Sequence, residues 1–286
     1  MNWYNTGTHA KDGDLAQLAS IGHKNFIIRL KAGTVFQSHK GIIPHDEMIG
    51  LPWGSQVVSH KGSPFFLLQP SFADLLIETP RTTQILYPKD IGFIMVSLGV
   101  MPGLHVVEAG TGSGALTCAF ASLVGETGKV TSYEAKPDFQ NLARKNLDRL
   151  GLLDRVDLKL RNISEGFDER DADVLFLDVP DPYNYLGQVK STLKPGGFFG
   201  SILPTTNQVS LLLIELKRNG FIFIEVCEIM LRYYKPEPAR LRPVDRMVAH
   251  TGFLIFARPV LQPLLEEGAP TDTESIETIE EDPDLL

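Results

Sequence analysis

Apolar residues recur at two different periods along the chain, and the change of period divides it. From Asn25 to about Glu78, short β-prone runs alternate with turn residues. Residues 26–30, 34–37, 56–59 and 65–68 read as strands, punctuated by Lys31-Ala-Gly33, Pro52-Trp-Gly54 and Lys61-Gly-Ser-Pro64. Beyond Tyr87 the spacing becomes helical: Ile91, Ile94, Met95 and Leu98 share a face, opened by Pro88 and closed at Gly99. Strands at 104–109, 130–133, 156–160, 174–178 and 198–203 then alternate with helices at 114–124, 137–150 and 183–193. Val209, Leu212, Leu213 and Leu216 give one more helix face, and 221–226 and 251–257 are the last strands. Such alternation specifies an α/β fold with a parallel, doubly wound sheet, the final pair suiting an antiparallel addition at one edge. The first residues carry little pattern. The expected division is an extension at 1–24, a small β domain at 25–80, the α/β domain at 81–261 and a tail at 262–286.

The stretch VVEAGTGSGAL, from Val106, is a buried strand that breaks into a glycine turn and opens a helix. Gly110, Gly112 and Gly114 let backbone N–H groups and a helix N-terminus approach a nucleotide-like ligand. Backbone groups of Ser113, Gly114, Ala115 and Leu116 are expected to line that ligand. Glu134 closes the next strand at the distance where an acid commonly bonds ribose hydroxyls. The same glycines satisfy a dinucleotide fingerprint, so an NAD-dependent oxidoreductase is the rival. Three features favour S-adenosylmethionine: Glu108 ahead of the first glycine, where it can turn toward an amino-acid moiety or anchor one from behind; Asp178-Val-Pro-Asp-Pro after a later strand; and Lys194-Pro-Gly-Gly197 before another.

Charge changes the picture less than its total suggests. The net charge is −8, but nine acids lie between Gln262 and Leu286, where no Lys or Arg occurs. Taking those nine from the chain's 35 acids leaves 26 against 27 basic residues, so an RNA partner is not excluded. The tail reads as solvated. No apolar run is long enough to span a membrane and no signal peptide is indicated. Two cysteines, Cys118 and Cys227, suit a reducing compartment, and cytoplasmic location is expected. His39, His45 and His60 lack zinc spacing and read as surface or structural, with no metal expected.

Seven segments together resemble the prokaryotic tRNA (adenine-N1)-methyltransferases that act on T-loop adenosine 58: HKGIIPHDEMIG, RTTQILYPKD, VVEAGTGSGALT, SYEAKPD, LDVPDP, LKPGG and RLRPVDRMVAHTGFL. The glycine motif is shared by many methyltransferases; YPKD, LDVPDP and RMVAHTGFL are far more specific. The resemblance implies a Rossmann-like, seven-stranded S-adenosylmethionine-dependent methyltransferase domain behind a small N-terminal β domain, assembled as a homotetramer. It implies methylation of N1 of adenosine 58, with the neighbouring adenosine a second acceptor left open. Two positions depart from the pattern. Tyr183 stands where many members have tryptophan, and Asn162 stands where an acid often follows the third strand and meets the cofactor adenine.

Methyl transfer to N1 needs two partners held in line, and positive charge develops on the base as the bond forms. A carboxylate accepting from the exocyclic amine orients the ring and stabilises that charge. Asp178, at the carboxyl end of its strand, is the expected catalytic group, and it also borders the cofactor. Asp181 reads as a turn residue. Tyr87 is the candidate wall of the base pocket, with packing between domains as the alternative. Phe139 borders the adenine or is helix core. Arg232, Lys235, Arg240, Arg242 and Arg246, interleaved with Tyr233 and Tyr234, suit contact with RNA; a solvated loop or a subunit interface is the plainer reading. A non-catalytic RNA-binding subunit on the same fold is the second rival, though the glycine motif and Asp178 are intact.

Overall fold

The structure, a computed structural model, describes residues 6–20, 25–81 and 86–261. The acidic 262–286 segment lies outside the described residues, as does part of the RTTQILYPKD motif.

The N-terminal region contains β1 (Leu15–Ala19), β2 (Asn25–Arg29), β3 (Val35–Ser38), β4 (Gly41–Pro44), β5 (Gln56–Val58) and β6 (Pro64–Leu68). Four of these form an antiparallel sheet in the order β2-β1-β6-β5, and β3 pairs with β4 in a hairpin. Strand β1 falls where sequence reasoning saw only an extension, and the reason is physical. Ala16 and Leu18 enter the core of the small domain, while Leu15 on the opposite face enters a core of the α/β domain. With both faces buried, the alternation that marks a half-exposed strand is erased. Phe26, Phe36 and Phe65 pack edge to face or tilted within this core, with centroids 5.2–6.3 Å apart. His45 is buried and accepts from the Lys31 N–H, and burial lowers its pKa.

After a short helix α1 (Phe72–Ile77), helix α2 (Pro88–Ser97) leads into the α/β domain. There β7 (His105–Ala109), α3 (Ala115–Val124), β8 (Lys129–Glu134), α4 (Pro137–Leu150), β9 (Val156–Leu160), β10 (Ala172–Leu177), α5 (Leu186–Thr192), β11 (Leu193–Leu203), α6 (Thr206–Arg218), β12 (Phe221–Cys227) and β15 (Phe253–Pro259) follow. Between the last two, a two-residue ladder of β13 (Tyr234–Lys235) and β14 (Arg242–Pro243) stiffens a projecting arm.

The seven-stranded sheet runs β12-β15-β11-β10-β7-β8-β9. The last two strands form one edge of the sheet with an antiparallel member, as their short separation suggests; within that pair β15 lies inside, between β11 and β12 and antiparallel to both. That leaves β12 exposed, and a bulge around Phe223, at φ 52°, breaks its ladder with β15. Irregularity of this kind discourages edge-to-edge pairing. Both sheet faces are covered: one core gathers Phe120 and Phe176 under α2 and α3, the other Phe199 and Phe221 under α5 and α6. Each such fully buried side chain contributes on the order of 1.5–3 kcal/mol. Six strands run the same way, with β15 alone reversed, and residues at the carboxyl ends of β7, β8, β9 and β10 border the site.

Candidate cofactor and base site

Strands β7 and β10 come unusually close at their ends. The Asp178 N–H donates to the Ala109 carbonyl at 2.8 Å. Gly110 follows at φ 92°, and a Cβ there would lie 2.0 Å from the Asp178 carbonyl oxygen. Only glycine fits, and the approach sets the Asp178 side chain beside the glycine turn. Around this point opens a cavity of roughly 510 Å³, a volume suited to a nucleoside-sized ligand.

The turn supplies one wall: Gly110, Thr111, Gly112, Ser113, Ala115 and Leu116 line it. Gly114, expected there as well, is not among the lining residues. It is a glycine for packing, since a Cβ would sit 3.0 Å from that of Ala143 on α4.

Glu134, at the end of β8, is almost fully buried and held by two backbone donors. The Gly112 N–H reaches Oε2 at 2.9 Å and the Lys136 N–H reaches Oε1 at 3.0 Å. A carboxylate oxygen has two lone pairs, so each oxygen keeps an acceptor site for a vicinal diol. Glu134→Ala is expected to weaken S-adenosylmethionine binding by on the order of 1–3 kcal/mol, as when a charged partner is lost. Unchanged affinity in calorimetry would remove Glu134 from the ligand set.

Beyond β9, Arg161, Asn162 and Ile163 form the next wall. The Asn162 Oδ1 accepts from the Ser164 N–H at 2.9 Å, which fixes the side chain and leaves its NH₂ and one lone pair for a ring edge. Phe139 also lines the cavity, with the Lys136 ammonium 5.2 Å from its ring centre.

Asp178 is exposed at the cavity, where neighbouring protein atoms take up part of its hydration shell. The lost hydration and the nearby Glu134 carboxylate push its pKa up to about 6. Asp181 lines the cavity too, and is a turn residue at the same time: it accepts from Asn184 at 3.0 Å and from the Tyr185 hydroxyl at 3.3 Å. Of the three carboxylates that line the cavity, Glu134 is held by backbone donors, and Asp178 and Asp181 remain to suit a cationic ligand such as a sulfonium.

Glu108 faces the other way. It is fully buried outside the cavity lining, where Thr117 of α3 and Ser132 of β8 each donate to Oε2 at 2.6 Å. Oε1 has no partner among the described residues, and burial pushes the pKa to about 7. Of its two expected roles, the geometry fits an anchor tying helix to sheet behind the glycine turn. Tyr87 precedes the first turn of α2 and is half-buried; its neighbour Leu86 lines the cavity and Tyr87 does not. Sequence reasoning missed Lys136, Arg161 and Tyr185. Arg161 directly follows the end of β9 and Lys136 lies two residues beyond the end of β8, positions that could have pointed to them; nothing local marks Tyr185.

The basic cluster lies on the arm. Arg232, Arg240, Arg242 and Arg246 are exposed, while Lys235 pairs with Asp245 at 2.8 Å. The arm also exposes Met230, Tyr233, Leu241 and Val248. Among the described residues no group of three or more His, Cys, Asp or Glu side chains could hold a metal ion, and no helix is long and apolar enough to cross a membrane.

Comparison with known proteins agrees with this geometry. Residues 65–242 match the family model described as the tRNA methyltransferase complex GCD14 subunit, and residues 10–57 match a TrmI-like N-terminal model. A tRNA (adenine(57)-N(1)/adenine(58)-N(1))-methyltransferase TrmI of Methanocaldococcus jannaschii is 37% identical over 81% of this chain and 90% of its own. The solved tRNA (m1A58) methyltransferase TrmI of Aquifex aeolicus is 33% identical with a TM-score of 0.77, over 89% of this chain and 100% of its own. A Thermotoga maritima structure titled as a SAM-dependent O-methyltransferase is 44% identical with a TM-score of 0.84, over 90% of this chain and 97% of its own.

Proposed function

The chain belongs to the GCD14 family of tRNA methyltransferases, and from that premise we propose that Asp178 and the cavity beside it methylate N1 of adenosine 58 in the tRNA T-loop. The observation that carries the reading is the pairing of a fixed diol acceptor, Glu134, with a second carboxylate, Asp178, at the mouth of one cavity. The enzyme depends on S-adenosylmethionine, which supplies the electrophilic methyl group when bound. The dinucleotide rival falls with the family.

The protein's own part is placement and charge. Glu134 holds the ribose, Asn162 meets the adenine ring of the cofactor, and backbone groups of Gly110, Gly112, Ser113, Ala115 and Leu116 border the remainder. Asp178 accepts from the exocyclic amine of the target adenine. This aligns N1 and stabilises the positive charge that develops there. Tyr87 flanks the entry of the base from the α2 side. The base must leave its stack in the folded tRNA, which costs a few kcal/mol and calls for a firm grip on the backbone. Arg232, Lys235, Arg240, Arg242 and Arg246 supply cations for that grip. The exposed apolar residues of the same arm support a homotetramer, in which the arm also meets a neighbouring subunit. Action in the cytoplasm accords with the substrate.

The test is mass spectrometry of nucleosides from tRNA incubated with enzyme and methyl-labelled cofactor. Labelled 1-methyladenosine mapped to position 58 is the expected product, and label at 57 as well would extend the acceptor to its neighbour. A ribose 2′-O-methyl product, the outcome nearest the Thermotoga title, would overturn the assignment.

The ionisation of Asp178 gives a second check. Only the ionised carboxylate carries the negative charge that stabilises the developing cation, and its pKa lies near 6. With both substrates below saturation, kcat/KM is expected to fall as pH drops through about 6, by about tenfold per unit below it. A profile flat from pH 5 to 8 would remove the carboxylate from the rate-determining step.

A further inference from the structure

The first turn of α2 contains a buried ion pair that the cavity does not explain. The Lys89 ammonium donates to Asp90 Oδ1 at 2.8 Å, with side-chain exposures of only 7% and 0%. Burying two charges costs several kcal/mol of hydration unless every donor and acceptor is well matched, and such pairs are best attested as devices of registry.

The third member comes from far along the chain. The Thr251 hydroxyl accepts from Lys89 at 2.6 Å and donates to Asp90 Oδ2 at 2.7 Å. The three side chains therefore close a ring in which each polar group faces another. An acid in the first turn of a helix commonly folds back onto the free N–H groups there. Asp90 does not: α2 has no side-chain cap, and both carboxylate oxygens are turned toward the ring.

Thr251 is itself held in place. Its neighbour His250 bonds the Glu228 carboxylate through Nδ1 at 2.5 Å and the Pro204 carbonyl through Nε2 at 3.1 Å. Glu228 and His250 are the two feet of the arm, and Pro204 follows the carboxyl end of β11. Phe253, two residues after Thr251, pairs with Leu203 in the sheet. At the other end of the ring, Lys89 stands two residues after Tyr87 and three after Leu86, which lines the cavity.

We propose that Lys89, Asp90 and Thr251 are positioning residues that lock the entry to α2, whose Leu86 lines the cavity, to the feet of the arm. Docking of tRNA on the arm and seating of the base beside Asp178 then share one rigid frame. The inference rests on the functional reading above and adds to it the device that relates the RNA-gripping element to the pocket.

Thr251→Val tests it, because valine matches threonine in shape and removes only the hydroxyl, while Thr251→Ser keeps the hydroxyl. Thr251→Val is expected to lower kcat at saturating tRNA and cofactor by about 10- to 100-fold, the scale of a misplaced reactant. S-adenosylmethionine affinity in calorimetry should be unchanged, and Thr251→Ser should restore kcat. Should the valine variant not fold, Thr251→Ala, which leaves space rather than a methyl group against the ion pair, carries the same comparison. Wild-type kcat in the variant, a loss that serine does not rescue, or a loss seen only as weaker cofactor binding would each overturn the proposal. If the wild-type enzyme makes no 1-methyladenosine, the functional reading itself fails. If wild type and Thr251→Val make it equally fast, only the positioning ring does.

Discussion

Asp178→Ala is expected to yield a folded protein that still binds tRNA and S-adenosylmethionine but has lost methyl transfer, with single-turnover rates reduced by about 10²–10³-fold or more. The fold should survive because the carboxylate faces the cavity and makes no hydrogen bond among the described residues. Its backbone N–H, bonded to Ala109, is kept by alanine. Stability should therefore stay within about 0.5 kcal/mol, the usual range where no structural partner is lost. Cofactor affinity can fall modestly, since removing one of the three carboxylates on the cavity wall weakens the site's attraction for a sulfonium. On the proposed role, the Asp178 contact strengthens as charge moves onto the adenine, so the loss should appear in the chemical step at saturating cofactor. Near-wild-type turnover there would mean that another group holds the exocyclic amine, with Asp181 the next carboxylate on the wall.

Gly110→Ala should be at least as damaging, through geometry rather than charge. The residue has a φ of 92°, and an added methyl carbon would sit 2.0 Å from the Asp178 carbonyl oxygen, well inside van der Waals contact. Backbone on both sides must move, and the bond between Ala109 and Asp178 is the first to break. The strain of the left-handed backbone and the overpacking together should cost about 2–4 kcal/mol in thermal or denaturant unfolding. Cofactor binding should be lost as the turn and Asp178 separate. Gly112→Ala is the internal control. It shares a positive φ of 54°, but its nearest neighbour is the Gly110 carbonyl at 3.9 Å, so without cofactor it should melt closer to wild type. Equal melting of the two variants would show that the close approach of β7 and β10 is not what requires glycine at 110.

Much of this was legible because the α/β domain repeats one rule: apolar strand, turn, amphipathic helix. Pro137 opens α4 and Gly151 closes it, and the glycine turn announces its own strand and helix. What was hidden lies where a local pattern carries no long-range information. Strand β1 is masked by burial on two faces. The insertion of β15 between β11 and β12 is a fact about partners, which no periodicity encodes. In the site, Glu134 and Asp178 stood at strand ends and could be read directly. Glu108 could not be assigned a direction until Thr117 and Ser132 were seen to hold it. Asp181 was dismissed as a turn residue because the turn chemistry is real; that a turn can also form a cavity wall depends on how β10 meets its neighbours. Gly114 kept its glycine for Ala143, a residue of another helix.

The place of β15 has a consequence for how the enzyme is made. On the ribosome, β12 emerges before the strand that will join it to the sheet, and until then the flanks of β11 and β12 have unpaired backbone and apolar side chains. Pairings between segments so far apart in sequence form late, and their exposed precursors are prone to aggregate. The arm is threaded out and brought back in the same step, because its second foot is the start of β15. A nascent chain therefore completes its arm and its sheet together.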